Sequence, residues 1–268
     1  MSAGPTVTIL GCGSSGGVPR LGGRDGAGEW GACDPNEPKN RRRRCSILVE
    51  RGGTRILVDT SPDLREQLLD ARVSKLDAVL VTHDHADQLH GFDDLRMIAQ
   101  NMMQRVAVYA APETMGVLKQ RFGYCFKDGE AGGYPAIVDD YTIARPFRDF
   151  AISGEGGEIQ VRAFDQDHGT MVSQGFRFGP LAYSSDVVSL DDAAFEALAG
   201  VECWIVDALR YRPHPTHAHV EKALAWIERV RPRYAVLTNL HIDLDYNALR
   251  RALPPGVAPA YDGMQISL

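Results

Sequence analysis

The stretch Val79-Leu80-Val81-Thr82-His83-Asp84-His85-Ala86-Asp87-Gln88-Leu89-His90-Gly91 decides how the rest of the chain is read. Ala78 to Val81 is an apolar run with the length and composition of a buried strand, and the polar residues begin where that strand should end. Three imidazoles and two carboxylates then fall within eight positions. Such density is costly unless a positive charge sits among the side chains. A divalent metal ion supplies one, because neutral imidazole and carboxylate suit Zn, Mn or Fe. The alternative is a solvated polar loop, which gives no reason for His-x-His-x-Asp directly after a buried strand.

Outward from this stretch, the same alternation of apolar run and polar end recurs. Upstream, Thr6 to Leu10 reads as a strand that runs into Gly11-Cys12-Gly13-Ser14-Ser15-Gly16-Gly17, where the glycines imply tight turns and close backbone approach. No Gly-Lys-Ser/Thr ending follows, so a nucleotide P-loop is not expected. Cys45 to Glu50 and Arg55 to Asp59 read as two strands turned by Gly52-Gly53, and Pro62 to Ala71 as a helix capped by Ser61. Downstream, helices are expected over Phe92 to Arg105, Pro112 to Phe122, Asp191 to Leu198 and Val220 to Val230. Strands are expected over Val106 to Ala110, Ile159 to Phe164, Trp204 to Asp207 and Tyr234 to Thr238, with a hairpin from Phe176-Arg177-Phe178 to Leu181-Ala182-Tyr183-Ser184. Residues 20–40 read as an irregular loop. Residues 123–149, with Gly132-Gly133-Tyr134-Pro135, read as an excursion that roofs the site or meets a second copy of the chain in a homodimer. These units imply two β-sheets between helices in one domain, residues 1–268, with the site on one edge.

The chain has 268 residues, 44% of them hydrophobic and 24% charged, which is ordinary for a soluble globular protein. No run approaches the roughly 18 apolar residues of a membrane span, and no basic stretch leads into an apolar one at the N-terminus. Neither a membrane span nor a signal peptide is expected. Five cysteines without paired spacing fit reduced thiols in a cytoplasm. A net charge of −6 argues against a protein that coats long nucleic acid, yet a local positive patch can still take a small anionic substrate. Arg41-Arg42-Arg43-Arg44 has two readings: a solvated basic loop, or a strand lead-in from which one or two guanidinium groups, Arg43 and Arg44 foremost, reach a phosphate beside Ser15.

Thr82-His83-x-His85-x-Asp87 with Gly91 resembles the signature of the metallo-β-lactamase superfamily. The tail Tyr261-Asp262-Gly263-Met264-Gln265-Ile266-Ser267 is similar to the last strand of its PhnP-like phosphodiesterase branch, and tRNase Z enzymes are more distantly similar. The resemblance implies an α/β fold of four layers, αββα. It implies that His83, His85 and His168 hold one metal ion, that Asp186 bridges, and that Asp87 serves a second ion and the chemistry. It also implies that Asp59 orients a ligand and that the glycine-rich turn lies beside the site. His217, with His219 next, matches the region of a catalytic histidine that protonates the leaving group.

Two departures stand out. Gln88 and Asn239 occupy positions that are histidine in the usual pattern, while His90 and His241 each lie two residues beyond. Position 241 shares a strand face with 239, and His90 lies one helical turn from Asp87. A second site rebuilt on His241 and His90 would keep two divalent ions, Zn or Mn; its loss would leave one. The early loop holds only Cys33, so no structural zinc of the kind found in PhnP-like proteins is expected. The expected function is metal-dependent hydrolysis of a small, often cyclic, ribose phosphate or nucleotide. The competing readings are a thioester hydrolase of glyoxalase II type and a non-catalytic binding or escort protein resembling the PQQ-biosynthesis member of the superfamily.

Overall fold

The computed structural model describes residues 4–129, 133–145 and 147–268. Among the described residues fourteen strands form two seven-stranded sheets. The first contains β1 (Thr6–Gly11), β2 (Ser46–Arg51), β3 (Thr54–Val58), β4 (Ala78–Leu80), β5 (Val106–Ala110) and β6 (Val138–Thr142), in that order, with β14 (Gln265–Ser267) outside β1. The second contains β7 (Phe150–Gly154), β8 (Gly157–Asp167), β9 (Val172–Phe178), β10 (Leu181–Ser184), β11 (Cys203–Asp207), β12 (Tyr234–Thr238) and β13 (Val257–Pro259), also in order. In each sheet the early strands pair antiparallel and the later ones parallel, with helices in the parallel crossovers.

Strand alternation explains the layers. Ile47, Val49, Ile56, Val58, Ala78 and Leu80 face Phe176, Phe178, Tyr183 and Ile205 in one core between the sheets. The opposite faces are apolar too, and each is covered. Leu48, Leu57, Val79 and Val108 pack under α1 (Leu64–Asp70), α2 (Ala86–Leu89), α3 (Leu95–Met102), α4 (Pro112–Arg121) and α5 (Gly123–Phe126). Ala182, Trp204, Val206 and Leu237 pack under α6 (Asp192–Leu198), α7 (Val220–Val230) and α8 (Tyr246–Ala252). This is the four-layer αββα arrangement expected from the sequence.

Three local expectations need correction. The first helix starts at Leu64, and Ser61 does not cap it: its hydroxyl bonds the Gln67 carboxamide and accepts from Asp63 N–H. The helix expected over Phe92 to Arg105 is a 3₁₀ turn, Phe92–Asp94, followed by α3, which stops at Met103 in a left-handed conformation. In the described part of residues 123–149 no residue lines the site. Their described part supplies α5 and β6, an edge strand whose Asp139 and Asp140 break the apolar alternation that reveals inner strands. Residues 130–132 and 146 of that segment, Gly132 among them, lie outside the described residues. Among the described residues no helix is long and apolar enough to cross a membrane.

Candidate metal centre

The site lies at the carboxyl ends of β3, β4, β8, β10, β11 and β12, where strand ends leave polar side chains free to converge. Asp59, Asp186 and Asn239, just past β3, β10 and β12, all have positive φ (64°, 54° and 62°). Non-glycine residues rarely adopt this conformation, and Asn and Asp tolerate it best. Each such residue turns its side chain back toward the strand ends instead of along the strand.

His83 is fully buried. Its Nδ1 lies 3.0 Å from Thr82 Oγ1, and the Asp59 carboxylate accepts from both the backbone N–H and the hydroxyl of Thr82 (2.8–3.0 Å). Asp59 therefore orients His83 through Thr82. His83 Nε2, on the other side of the ring, is buried with no hydrogen-bond partner. An orphaned ring nitrogen of this kind requires an explanation. His168 donates from Nδ1 to the Thr216 carbonyl at 2.7 Å, so its Nε2 carries a lone pair, 3.3 Å from His85 Nδ1. The three rings meet edge to face with centroids 4.6–5.1 Å apart. Burial pulls His83 down to a pKa of about 3 and lowers that of His168 as well, so these rings stay neutral and keep their lone pairs. Donor nitrogens of all three lie within 4.8 Å of one another. Three imidazoles aimed at one point, one of them otherwise unpartnered, fit a divalent cation of the Zn or Mn class.

Asp186 lies alongside, with Oδ1 3.9 Å from His168 Nε2 and 3.7 Å from His217 Nδ1. Burial opposes its ionisation, but His83, His217, His168 and the Ser185 hydroxyl together hold it below the usual carboxylate range. Asp87 is pushed up to about 6, first by burial and then by the charge of Asp186.

His217 Nδ1 lies 2.9 Å from Asp207 Oδ2, and Asp207 is fully buried at the end of β11. A carboxylate only accepts, so Nδ1 donates and Nε2 is left for other partners. Burial opposes protonation of His217. The Asp207 hydrogen bond and the charges of Asp207, Asp186 and Asp87 outweigh it and push the pKa up to about 9.

These groups line a cavity of about 420 Å³. Of the residues picked out by sequence, His85, Asp87, His168, Asp186, His217, His241 and Ser15 line it, and His83 lies buried behind them. The rest do not reach it. His90 caps the short α2 and its ring meets Phe122, 6.3 Å away, outside the cavity. His219 takes the N-cap position of α7, so its chain direction carries it past the cavity. Arg43 is paired with Asp70 and Asp262, and Arg44 with Asp63 at 2.8 Å. Arg42 is buried against the His241 and Leu244 carbonyls and Asn40. Arg42, Arg43 and Arg44 are therefore scaffold, with alternate side chains pointing in opposite directions. Gly13 explains the approach: a Cβ there would sit 2.9 Å from Arg42 Cβ.

Sequence reading missed Asp207, His214, Arg20 and Arg210. Arg20 and Arg210 line the cavity, and among the described residues neither has a carboxylate partner within 4 Å. The Arg210 guanidinium donates to the Arg212 and Pro213 carbonyls, which fixes it in place. His214 packs 5.1 Å from the His217 ring. The signal that could have found Asp207 is its place as the acidic end of an apolar strand.

Residues 54–242 match a family described as the Beta-lactamase superfamily domain. The chain belongs to the β-lactamase superfamily. Among solved structures, this superfamily member is 33% identical to one described as a new diphosphatase from the PhnP family, with a TM-score of 0.86 over 98% of this chain and 97% of that one. It is 31% identical over 261 residues to an octanoyltransferase of Porphyromonas gingivalis, covering 96% of this chain and 50% of that protein. It is 33% identical over 147 residues to a ribonuclease Z of a Bradyrhizobium species, covering 53% of this chain and 46% of the other. The chain spans about half the length of these two curated relatives. Zn-bound PqqB of Methylobacterium extorquens, 19% identical with a TM-score of 0.71, shares the fold. The expected superfamily, with PhnP-like and tRNase Z relatives, is therefore correct.

Proposed function

We propose that this superfamily member is a metal-dependent phosphodiesterase acting on a small anionic phosphoric ester, a cyclic ribose phosphate or nucleotide among them. The observation that carries this reading is the pair Arg20 and Arg210: two guanidinium groups without carboxylate partners share one cavity with the histidine cluster, in a chain of net charge −6. A planar guanidinium suits phosphoryl oxygens, and a thioester would leave both charges unmatched. The cavity's size is that of a small-molecule site and not of a polynucleotide groove.

In this reading His83, His85 and His168, with Asp186 alongside, would hold a divalent ion. Bound there, the ion would supply Lewis-acid polarisation and make water a usable nucleophile near neutral pH. Arg20, Arg210 and the Ser15 hydroxyl bind the substrate's non-reacting oxygens. His217, protonated and held by Asp207, gives its Nε2 proton to the departing alkoxide. Asp207 keeps the ring in the tautomer and orientation this transfer needs. His214 packs against the same ring and limits its rotation. The similarity to a PhnP-family diphosphatase supports placing diphosphate esters among the substrates to try.

The test is turnover by the metal-loaded chain on 2′,3′-cyclic and 3′,5′-cyclic nucleotides, bis(p-nitrophenyl) phosphate, a dinucleoside diphosphate and an acyl thioester. Hydrolysis of at least one phosphoric ester well above the thioester is expected. Turnover confined to the thioester, or tight binding of all with turnover of none, would overturn the reading.

A further inference from the structure

The carboxylates Asp87 and Asp186 stand side by side, and something must offset their mutual repulsion. Gln88 is fully buried between them, with Nε2 3.3 Å from Asp87 Oδ2 and 3.3 Å from Asp186 Oδ2. Both oxygens only accept, so the amide presents its two N–H groups, one to each carboxylate. Asn239 Nδ2 approaches Asp186 Oδ1 at 3.5 Å from the other side. A cation beside Asp87 would meet the positive end of the Gln88 amide dipole, which repels it.

Nor do other donors converge there. His90 lies outside the cavity against Phe122. His241 Nδ1 accepts from the Asp243 N–H at 3.2 Å and lies 3.1 Å from the Asp243 carboxylate, so that nitrogen is already engaged. Among the described residues, two groups of three His, Cys, Asp or Glu donors lie close enough to share an ion: His83/His85/His168, and His168/Asp186/His217. Neither contains Asp87, His90 or His241.

We propose that the centre holds one ion, on the imidazoles of His83, His85 and His168, and that the Gln88 carboxamide joins Asp87 to Asp186 where a second ion would otherwise lie. This rests on the reading of the cluster as a metal centre and not on the choice of substrate. It replaces the rebuilt second site on His241 and His90 that the sequence alone made attractive. The side chain at 88 thereby sets the number of ions: an amide donor closes the second position, and an anionic oxygen in its place opens it.

The experiment counts ions. The full chain is equilibrated with excess Zn(II), and separately with Mn(II), freed of unbound metal by gel filtration, and analysed for metal against protein concentration. One ion per chain is expected with either metal, and none in His168→Ala. Gln88→Glu exchanges the N–H groups for a third carboxylate beside Asp87 and Asp186, and its count should rise to two. Two ions per unaltered chain would overturn the proposal, as would a folded Gln88→Glu variant whose count stays at one. If Gln88→Glu does not fold by circular dichroism, the count of the unaltered chain decides alone. No turnover is read, so a failed ion count and a failed phosphodiesterase assay are separate outcomes.

Discussion

Asp207→Asn tests the proton-donor assignment most sharply, because it keeps the shape of the side chain and removes only its charge. The Asn oxygen can still accept the Val187 N–H that Asp207 Oδ2 accepts at 3.0 Å. The same oxygen can still accept from His217 Nδ1, so what is lost is the negative charge behind that hydrogen bond, which helps hold His217 at about 9 against an ordinary value of 6.5. The sign follows directly. A raised histidine pKa keeps the ring protonated to higher pH, so removing its cause costs activity on the alkaline side and little on the acid side. With a pKa of about 9 roughly nine-tenths of the rings are protonated at pH 8, and with about 6.5 only some 3%, a loss of about 30-fold. At pH 6 the same change costs only about 1.3-fold. A cation beside Asp186 opposes protonation of His217, so about 30-fold is the upper end of the pH 8 effect. The assay is kcat against pH on an alkyl phosphodiester and on a p-nitrophenyl ester, whose leaving group needs little protonation. The variant should lose its alkaline activity on the alkyl ester and keep most of it on the p-nitrophenyl ester. A loss of equal size at pH 6 and pH 8, or on both esters, would refute the assignment.

His83→Ala should abolish bound metal and turnover together, since it removes the buried imidazole whose Nε2 has no other partner; elemental analysis finding an undiminished ion would refute this. Arg20→Ala and Arg210→Ala should each raise KM for a phosphodiester by about 10- to 100-fold, the worth of one charged hydrogen bond, with kcat less affected. Steady-state kinetics showing unchanged KM in both would remove the basis for an anionic substrate. Arg42→Ala should destabilise the chain by about 3 kcal/mol by orphaning buried carbonyls, lowering Tm by roughly 6–12 °C, whereas Arg44→Ala should move it much less. Thermal unfolding of the two variants at equal metal loading checks the contrast.

Val79 to Gly91 and the strand-ending motifs around His168 and Asp186 were legible because each strand end is local in sequence. The apolar run, the break and the donor all fall within a few residues. What stayed hidden depends on side-chain direction across the fold. Arg43 and Arg44 looked suited to phosphate, but their side chains pair with Asp262 and Asp63, 219 and 19 residues away. Arg20, in a loop of glycines and polar residues, gave no periodic signal, yet that loop folds its guanidinium into the cavity. His241 was inferred from strand geometry extended past Thr238, two residues beyond Asn239. Asn239 at φ 62° ends the extended geometry; both residues still line the cavity, but Asp243 engages His241 Nδ1. β6 was missed because an edge strand needs no apolar alternation.

The two sheets contribute to the centre from opposite sides of a seam. His83, His85 and Asp87 leave the first, His168, Asp186 and His217 the second, and Gly13 bridges Arg44 and Leu240 across the join. An ion held there is a tie bar between halves of the sandwich. By linkage, free metal at a thousand times its Kd would add about 4 kcal/mol to global stability. Metal supply would then set how long the chain survives proteases as well as how fast it works. Starvation would loosen the molecule at the mouth first, while the apolar core between the sheets kept the far end shut.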